Sequence, residues 1–151
     1  MRLPLALCIA VYAVGTTSLL AQAKATPVKT PIVVYKTPTC GCCAKWVEHM
    51  EANGFKATVF NMPDTSAERA RRGVPANLGS CHTSVVGNYA IEGHVPAAEI
   101  KRLLREKPQI AGLSAPGMPA GSPGMDVPNS PAYDVLTFDK QGRTSVYATH
   151  R

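Results

Sequence analysis

The sequence lacks several features that would indicate common functional classes. It contains no internal repeat, and its 10 acidic residues form no convincing acid–base pair for hydrolytic chemistry. Its 16 basic residues give a formal charge of +6, but they are scattered along the chain. The one small cluster, Arg69, Arg71 and Arg72, is expected on the solvated face of a helix. The composition therefore gives no reason to expect a nucleic-acid partner.

Long apolar runs are also scarce, and the one that is present lies at the start, from Leu3 to Leu20. It follows Met1-Arg2 and leads into the small residues Ala21-Gln22-Ala23. This arrangement predicts a cleaved signal peptide over residues 1–23 in preference to an uncleaved membrane anchor. Residues 24–30 are then a polar tether, and residues 31–151 form one domain. We expect an exported protein with no stable membrane insertion after cleavage.

The chain has five cysteines, and they are not distributed like those of a disulfide framework. Cys8 lies in the predicted signal peptide. The others occur in Cys40-Gly41-Cys42-Cys43 and in Cys81-His82. Small secreted domains spread their cysteines to close long loops, and a bridge between neighbours in the first motif would be strained. The clustering indicates soft-metal binding, redox exchange or both.

Hydrophobic periodicity and turn residues predict a mixed α/β domain. The predicted elements are a strand at Pro31–Tyr35, a helix at Cys42–Asn53, a strand at Phe55–Phe60, a short helix opened by the capping-box pattern Thr65-x-x-Glu68 and ended near Gly73, strands at Thr83–Gly87 and Tyr89–Ile91, and a helix from Pro96 to Pro108. This β-α-β-α-β-β-α order is that of a thioredoxin-like core.

The C-terminal third has a different composition. Prolines recur between Leu113 and Pro131 and exclude a regular helix, so this stretch is predicted to be a long Pro/Gly/Met-rich loop. Strands at Tyr133–Phe138 and Thr144–Tyr147 then predict a terminal β-hairpin.

The predicted fold brings the two cysteine motifs together. Residues 40–43 fall where a helix begins, and the free N–H groups and dipole of a helix N-terminus stabilise thiolates. Cys40 and Cys43 have the spacing of a thioredoxin redox pair, to which Cys42 adds a third sulfur. Ser80-Cys81-His82-Thr83 stands at the same sheet edge, where thioredoxins carry a cis-proline. The next strand returns to this edge and brings His94 within reach.

Thiolates with imidazoles form a soft ligand set that suits Cu(I) or Zn(II) and is poor for Mg or Ca. The thioethers of Met118 and Met125 favour Cu(I). Adjacent Cys42 and Cys43 cannot easily serve one metal but could bridge two, so several copper ions are favoured over a single zinc. The predicted metal-binding residues are Cys40, Cys42, Cys43, Cys81, His82, His94, Met118 and Met125.

Four motifs, in this order, resemble the CopG-like proteins, a bacterial periplasmic family of unknown function associated with metal binding and copper resistance. The motifs are Cys40-Gly-Cys-Cys43, Ser80-Cys-His-Thr83, Glu92-Gly-His-Val-Pro96 and Pro116-Gly-Met-Pro-x-Gly-Ser-Pro-Gly-Met125. The resemblance covers nearly all of residues 31–150. It implies a thioredoxin-like core, a cysteine-bridged copper cluster held by the residues named above, and a role in copper redox chemistry during detoxification.

Three functions stay open at this point. The first is a periplasmic protein that buffers, carries or redox-cycles copper together with other copper-handling proteins, which leaves open a copper-dependent oxidoreductase. The second is a thiol–disulfide oxidoreductase using Cys40 and Cys43; the extra Cys42 and the missing cis-proline argue against it. A structural zinc module ranks last, because a core of this size should fold without metal. His49 is expected to be solvated and His150 inert.

Overall fold

The computed structural model describes residues 28–151, so the predicted signal peptide and residues 24–27 of the tether lie outside the described residues. Residues 28–151 contain one mixed sheet of seven strands in the order β2-β1-β3-β4-β5-β6-β7. The strands are β1 Thr30–Lys36, β2 Phe55–Asn61, β3 His82–Val86, β4 Tyr89–Gly93, β5 Gly112–Ala115, β6 Tyr133–Phe138 and β7 Thr144–His150. The helices are α1 Gly41–Ala52, α2 Ser66–Arg71 and α3 Ala97–Glu106, with a 3-10 turn at Ala76–Leu78. None of these helices is long and apolar enough to span a membrane.

Helix α1 connects two parallel neighbours, β1 and β2, and packs its apolar face against the sheet. That face carries Cys43, Trp46 and Met50, which are all fully buried. The indole Nε1 of Trp46 donates a hydrogen bond of 2.9 Å to the carbonyl of Val95, and this contact ties α1 to the segment after β4. The N-terminus of α1 is thereby held over one edge of the sheet.

The strand register places the ends of three strands at that edge. Strand β3 runs antiparallel to β1, with Lys36 opposite His82. Strand β4 returns antiparallel to β3, with Thr83 opposite Glu92. The chain therefore leaves β1 toward the cysteine triplet, enters β3 directly after Cys81 and leaves β4 directly before His94.

The mixed α/β class, the order of elements through α3 and the terminal hairpin are confirmed. The loop predicted at Leu113–Pro131 begins too early in the chain, because residues Gly112–Ala115 form strand β5. This strand has only four residues, all buried, and pairs parallel with β4 and antiparallel with β6. It joins the C-terminal hairpin to the sheet, and its shortness explains why no strand pattern was visible.

The capping-box interpretation of α2 is wrong. Thr65 precedes the helix but has helical backbone angles and makes no side-chain capping hydrogen bond. The Glu68 carboxylate instead pairs with Arg71 and Arg72, each at 2.6 Å. These two arginines compete successfully with the backbone for the carboxylate.

Candidate metal centre

The first cysteine motif is arranged around the start of α1. Cys40 is the N-cap, and its Sγ accepts a hydrogen bond of 3.3 Å from the backbone N–H of Cys43. Cys40 and Cys43 are joined by a disulfide with a Cα separation of 5.3 Å. Within residues 28–151, Cys42 and Cys81 are free thiols. Cys42 Sγ lies 3.5 Å from Cys40 Sγ on the more exposed side of the helix.

Cys81 connects the triplet to the histidines. Its Sγ lies 3.3 Å from Cys43 Sγ and 3.0 Å from His94 Nε2. Burial raises the pKa of the Cys81 thiol to about 11, a hydrogen bond from Ser80 opposes this, and Cys42 adds to it. Cys81 is therefore a protonated thiol in the metal-free protein, and a metal ion that binds it must displace the proton.

His94 is held in one tautomer by the long loop. Its Nδ1 donates a hydrogen bond of 2.8 Å to the carbonyl oxygen of Pro123, which leaves the Nε2 lone pair directed at Cys81. Burial lowers the pKa of His94, so the ring is neutral near pH 7. A neutral imidazole with its second nitrogen fixed by a carbonyl is the usual state of a metal-ligating histidine.

His82 is fully buried between rings. Its centroid lies 4.4 Å from that of Trp46 and 5.1 Å from that of His94. Burial, with smaller effects of His94 and Lys36, lowers the pKa of His82 to about 3. Its Nδ1 lies 3.6 Å from Cys81 Sγ, and its Nε2 is buried without a hydrogen-bond partner among residues 28–151. Because the imidazole is buried and neutral, Nδ1, the ring nitrogen that faces Cys81, is suited to bind a metal ion.

The donor atoms form two overlapping groups of four. One contains Cys40, Cys42, Cys43 and Cys81, the other contains Cys43, Cys81, His82 and His94, and the donor atoms of each lie within 4.8 Å of one another. Cys43 and Cys81 belong to both groups. The structure thus brings together all six cysteine and histidine residues that the sequence singled out.

The two methionines lie on the loop that covers this edge. Met118 is 55% exposed and lines an open pocket of about 290 Å³ together with Cys81. Met125 follows Gly124, whose backbone packs so closely on α1 that an added Cβ would lie 2.6 Å from the Cys42 carbonyl oxygen. The loop therefore reaches the site, while thioether ligation by Met118 and Met125 stays a prediction.

For two residues near the candidate metal centre, the prediction of a solvent-exposed side chain is wrong. Arg69, expected on a solvated face, turns inward and pairs with the fully buried Glu92 at 2.7 Å. His49, also expected to be solvated, is half-buried, and its Nε2 accepts a hydrogen bond of 3.2 Å from the backbone N–H of Ala97. A single glutamate inside the otherwise buried strand β4 was the signal that could have indicated the ion pair.

Comparison with known proteins agrees with this geometry. Residues 78–125, which include Cys81, His82 and His94, match a family described as a protein of unknown function, DUF411. No curated protein sequence matches the chain.

Two solved structures are similar over most of their length. The structure titled "Copper resistance protein copG- Form 1" is 46% identical, with a TM-score of 0.76, and the match covers 81% of this chain and 98% of that one. The structure named "Copper resistance protein copG- Form 2" is 45% identical, with a TM-score of 0.77, and the match covers 82% of this chain and 99% of that one. With this identity over nearly the whole of both relatives, the chain belongs to the CopG-like family of copper resistance proteins.

Proposed function

We propose that this chain is a periplasmic copper-binding protein that holds more than one Cu(I) ion in its cysteine and histidine cluster and serves to detoxify, carry or redox-cycle copper. Copper is the cargo or substrate in this proposal. The observation that carries it is the pair of donor groups that share Cys43 and Cys81. We assign the scaffold to a thioredoxin-like core that β5, β6 and β7 extend.

The chemistry of the donors supports a soft monovalent metal. Sulfur and neutral imidazole nitrogen are the donors that Cu(I) prefers, and hard cations need oxygen ligands. The buried carboxylate of Glu92, on the strand that leads to His94, is already engaged by Arg69, Ser80 and Thr83. Both similar structures are copper resistance proteins, which favours copper over zinc for this chain.

The sharing of Cys43 and Cys81 supports more than one ion. A thiolate sulfur has several lone pairs and can bridge two metal ions. Each of the two donor groups offers a complete set of four donors only if these sulfurs are shared. Met118, exposed beside Cys81, is placed to receive copper from, or pass it to, another periplasmic copper-handling protein.

Full binding requires reduction of the Cys40–Cys43 disulfide. An external dithiol supplies two electrons and two protons, which break the S–S bond and give two thiols. In the reverse direction, the Cys40 and Cys43 thiols can reduce two Cu(II) ions to Cu(I), with formation of the disulfide and release of two protons. The same pair of residues thus links copper loading to copper redox cycling.

An anaerobic titration tests this proposal. The reduced chain without residues 1–23 is titrated with Cu(I) against a competing chelator, in parallel with a variant in which Cys40, Cys42, Cys43 and Cys81 are serine. We expect more than one tightly bound copper per chain in the parent and none in the variant. His150→Ala, which removes a histidine outside the cluster, is the matched control and should bind as the parent does. Absence of cysteine-dependent binding would refute the proposal.

A second function is favoured by one specific observation, the disulfide between Cys40 and Cys43 at the start of α1. It is the bond that a thiol–disulfide oxidoreductase would use. Against it, no peptide bond among residues 28–151 is cis, so the proline element of thioredoxins is missing. A dithiol-exchange assay decides: full activity in Cys42→Ser, with no metal affinity in the parent, would favour the oxidoreductase.

A further inference from the structure

The segment that carries Cys81 and His82 is bracketed by one buried carboxylate. Glu92 Oε1 accepts a hydrogen bond of 2.7 Å from the backbone N–H of Ser80, and its Oε2 accepts one of 2.6 Å from the Thr83 hydroxyl. Ser80 immediately precedes Cys81, and Thr83 immediately follows His82. The carboxylate therefore fixes both ends of the two-residue segment between them.

Arg69 binds the carbonyl group of Ser80, at the same end of this segment. Its Nε donates to Glu92 Oε1 at 2.7 Å, and its Nη2 donates to the carbonyl oxygen of Ser80 and, at 3.2 Å, to the hydroxyl of Thr65. Both the N–H and the C=O of Ser80 are thus bound by members of one ion pair. A buried carboxylate without this guanidinium would be strongly unfavourable, so the two residues act as a unit.

Ser80 is also in close contact with two other segments of the chain. A Cβ on Gly93 would lie 2.5 Å from Ser80 Cβ, so the chain after Glu92 touches the chain before Cys81. On the other side, the Ser80 hydroxyl donates to the carbonyl of Gly117, and the N–H of Gly117 donates to the carbonyl of Gly79 at 3.0 Å. The position of Cys81 is consequently set by contacts from β4 and from the long loop.

We propose that Glu92, supported by Arg69, is a positioning residue that fixes the Cys81 thiol between Cys43 and His94. It makes no hydrogen bond to a sulfur or imidazole of the donor groups, and it acts through the backbone of Ser80 and the hydroxyl of Thr83. Its consequence for copper affinity rests on the proposed function. The placement of the thiol itself does not, and it can be measured without metal.

The test uses the oxidised protein, in which the disulfide leaves Cys42 and Cys81 free within the described chain. Both thiols are alkylated under native conditions, and mass spectrometry gives the ratio of their rates. Glu92→Ala removes both arms of the bracket and should raise the rate at Cys81 severalfold relative to Cys42. Glu92→Gln can still accept from Ser80 and donate to Thr83, so it should stay close to the parent ratio.

Glu68→Ala is the matched control, because Glu68 is also a buried carboxylate paired with arginines but makes no contact with the Cys81 segment. It should lower stability and leave the ratio unchanged. Should Glu92→Ala fail to fold, Thr83→Val, which removes one arm without changing side-chain size, decides the question with a smaller rise in the same ratio.

Cu(I) affinity of the reduced proteins is the second readout, and loss of the bracket should weaken it about 10- to 100-fold, as for other residues that orient metal ligands. An unchanged ratio in a folded Glu92→Ala or Thr83→Val protein would overturn the proposal, and so would a Glu92→Gln protein as reactive as Glu92→Ala. A changed ratio in a protein that binds no Cu(I) would leave the positioning role intact and refute the copper function instead.

Discussion

Two adjacent cysteines, Cys42 and Cys43, occupy different environments. Cys43 is fully buried, lies 3.3 Å from Cys81 Sγ and belongs to both donor groups. Cys42 is partly exposed and belongs to only one. This difference follows from helix geometry, because successive side chains point about 100° apart around the axis.

A pair of serine substitutions tests this difference. Cys43→Ser removes a sulfur from both groups, so we expect it to abolish most tight Cu(I) binding. Cys42→Ser should lower the number of bound ions without abolishing binding. The measurement is copper stoichiometry in the reduced, anaerobic protein, with circular dichroism to confirm folding. Equal losses in the two variants would contradict the assignment of Cys43 as a shared ligand.

The sequence indicated the candidate ligand residues better than it indicated the residues that hold them in place. Cysteines and histidines are rare and chemically distinctive, so their clustering at residues 40–43 and 81–82 was visible without coordinates. The pairing of Arg69 with Glu92 joins residues 23 positions apart and depends on how α2 packs on the sheet. An arginine on a short polar helix looks the same in sequence whether it faces solvent or a buried carboxylate.

At the scale of elements, the long loop and α1 meet at Gly124. Its φ is +85°, and an added Cβ would lie 2.6 Å from the carbonyl oxygen of Cys42 and 3.0 Å from the backbone nitrogen of Trp46. The close approach holds Pro123 against His94. The loop can cover the site in this way only because the residue has no side chain.

Gly124→Ala is therefore expected to destabilise the protein and push the loop off α1. Gly117→Ala is the matched control, because Gly117 also has positive φ, +69°, but has nothing within 4 Å of an added Cβ. The control should cost about 1 kcal/mol of unfolding free energy, and Gly124→Ala about 1–3 kcal/mol more. Denaturant unfolding measures both, and equal costs would show that the loop does not pack on α1 as described.

The first backbone N–H of helix α3 is hydrogen-bonded to a histidine of helix α1. The backbone N–H of Ala97 donates to His49 Nε2, and Pro96 at the N-cap makes no side-chain hydrogen bond. Burial lowers the pKa of His49 below its ordinary 6.5, Asp126 opposes this and Lys101 adds to it. The bond exists only while the imidazole is neutral.

The pH dependence of stability follows from this bond. The unfolded chain binds the His49 proton more readily than the folded chain does. The contribution of His49 to the free energy of unfolding is therefore fully present above the ordinary pKa and is lost as the pH falls below it. His49→Gln keeps an acceptor that does not titrate, so its unfolding free energy should fall less between about pH 7 and about pH 5 than that of the parent. His49→Ala should lose about 1 kcal/mol already at neutral pH. Identical slopes for parent and His49→Gln would exclude this contribution.

Among the helices and strands of residues 28–151, β5 is the one that the sequence did not predict. Helix α1 and strands β1 and β2 lie within a residue or two of their predicted bounds. Strand β5 is only four residues long and exists because β4 and β6 flank it. Pairing between distant segments stabilises such a strand, and no local pattern carries that information.

At the scale of the whole molecule, the apolar core extends well beyond the donor residues, which it meets where Trp46 contacts His82. Its largest members include Trp46, Phe55, Phe138, Ile32 and Leu113, all nearly or fully buried. Burial of each such side chain is worth about 1.5–3 kcal/mol. The core therefore does not depend on a metal ion for its formation.

We accordingly expect the metal-free protein to be folded. Treatment with a strong chelator should leave the far-ultraviolet circular dichroism unchanged and keep one cooperative thermal transition. Added Cu(I) should raise the transition temperature of the reduced protein, because a ligand that binds the folded state stabilises it. A structural zinc site predicts the opposite, and unfolding on chelation would support that alternative.

The cysteines that meet in space are far apart along the chain, since Cys43 and Cys81 are separated by 38 residues. In the proposed copper-bound state, one ion on both sulfurs is a reversible cross-link that removes extended conformations from the unfolded ensemble. The same loop closed by a covalent bridge would be worth about 4 kcal/mol. Copper supply would then set how long each molecule survives proteolysis, so that the amount of folded protein rises with the amount of metal to be handled.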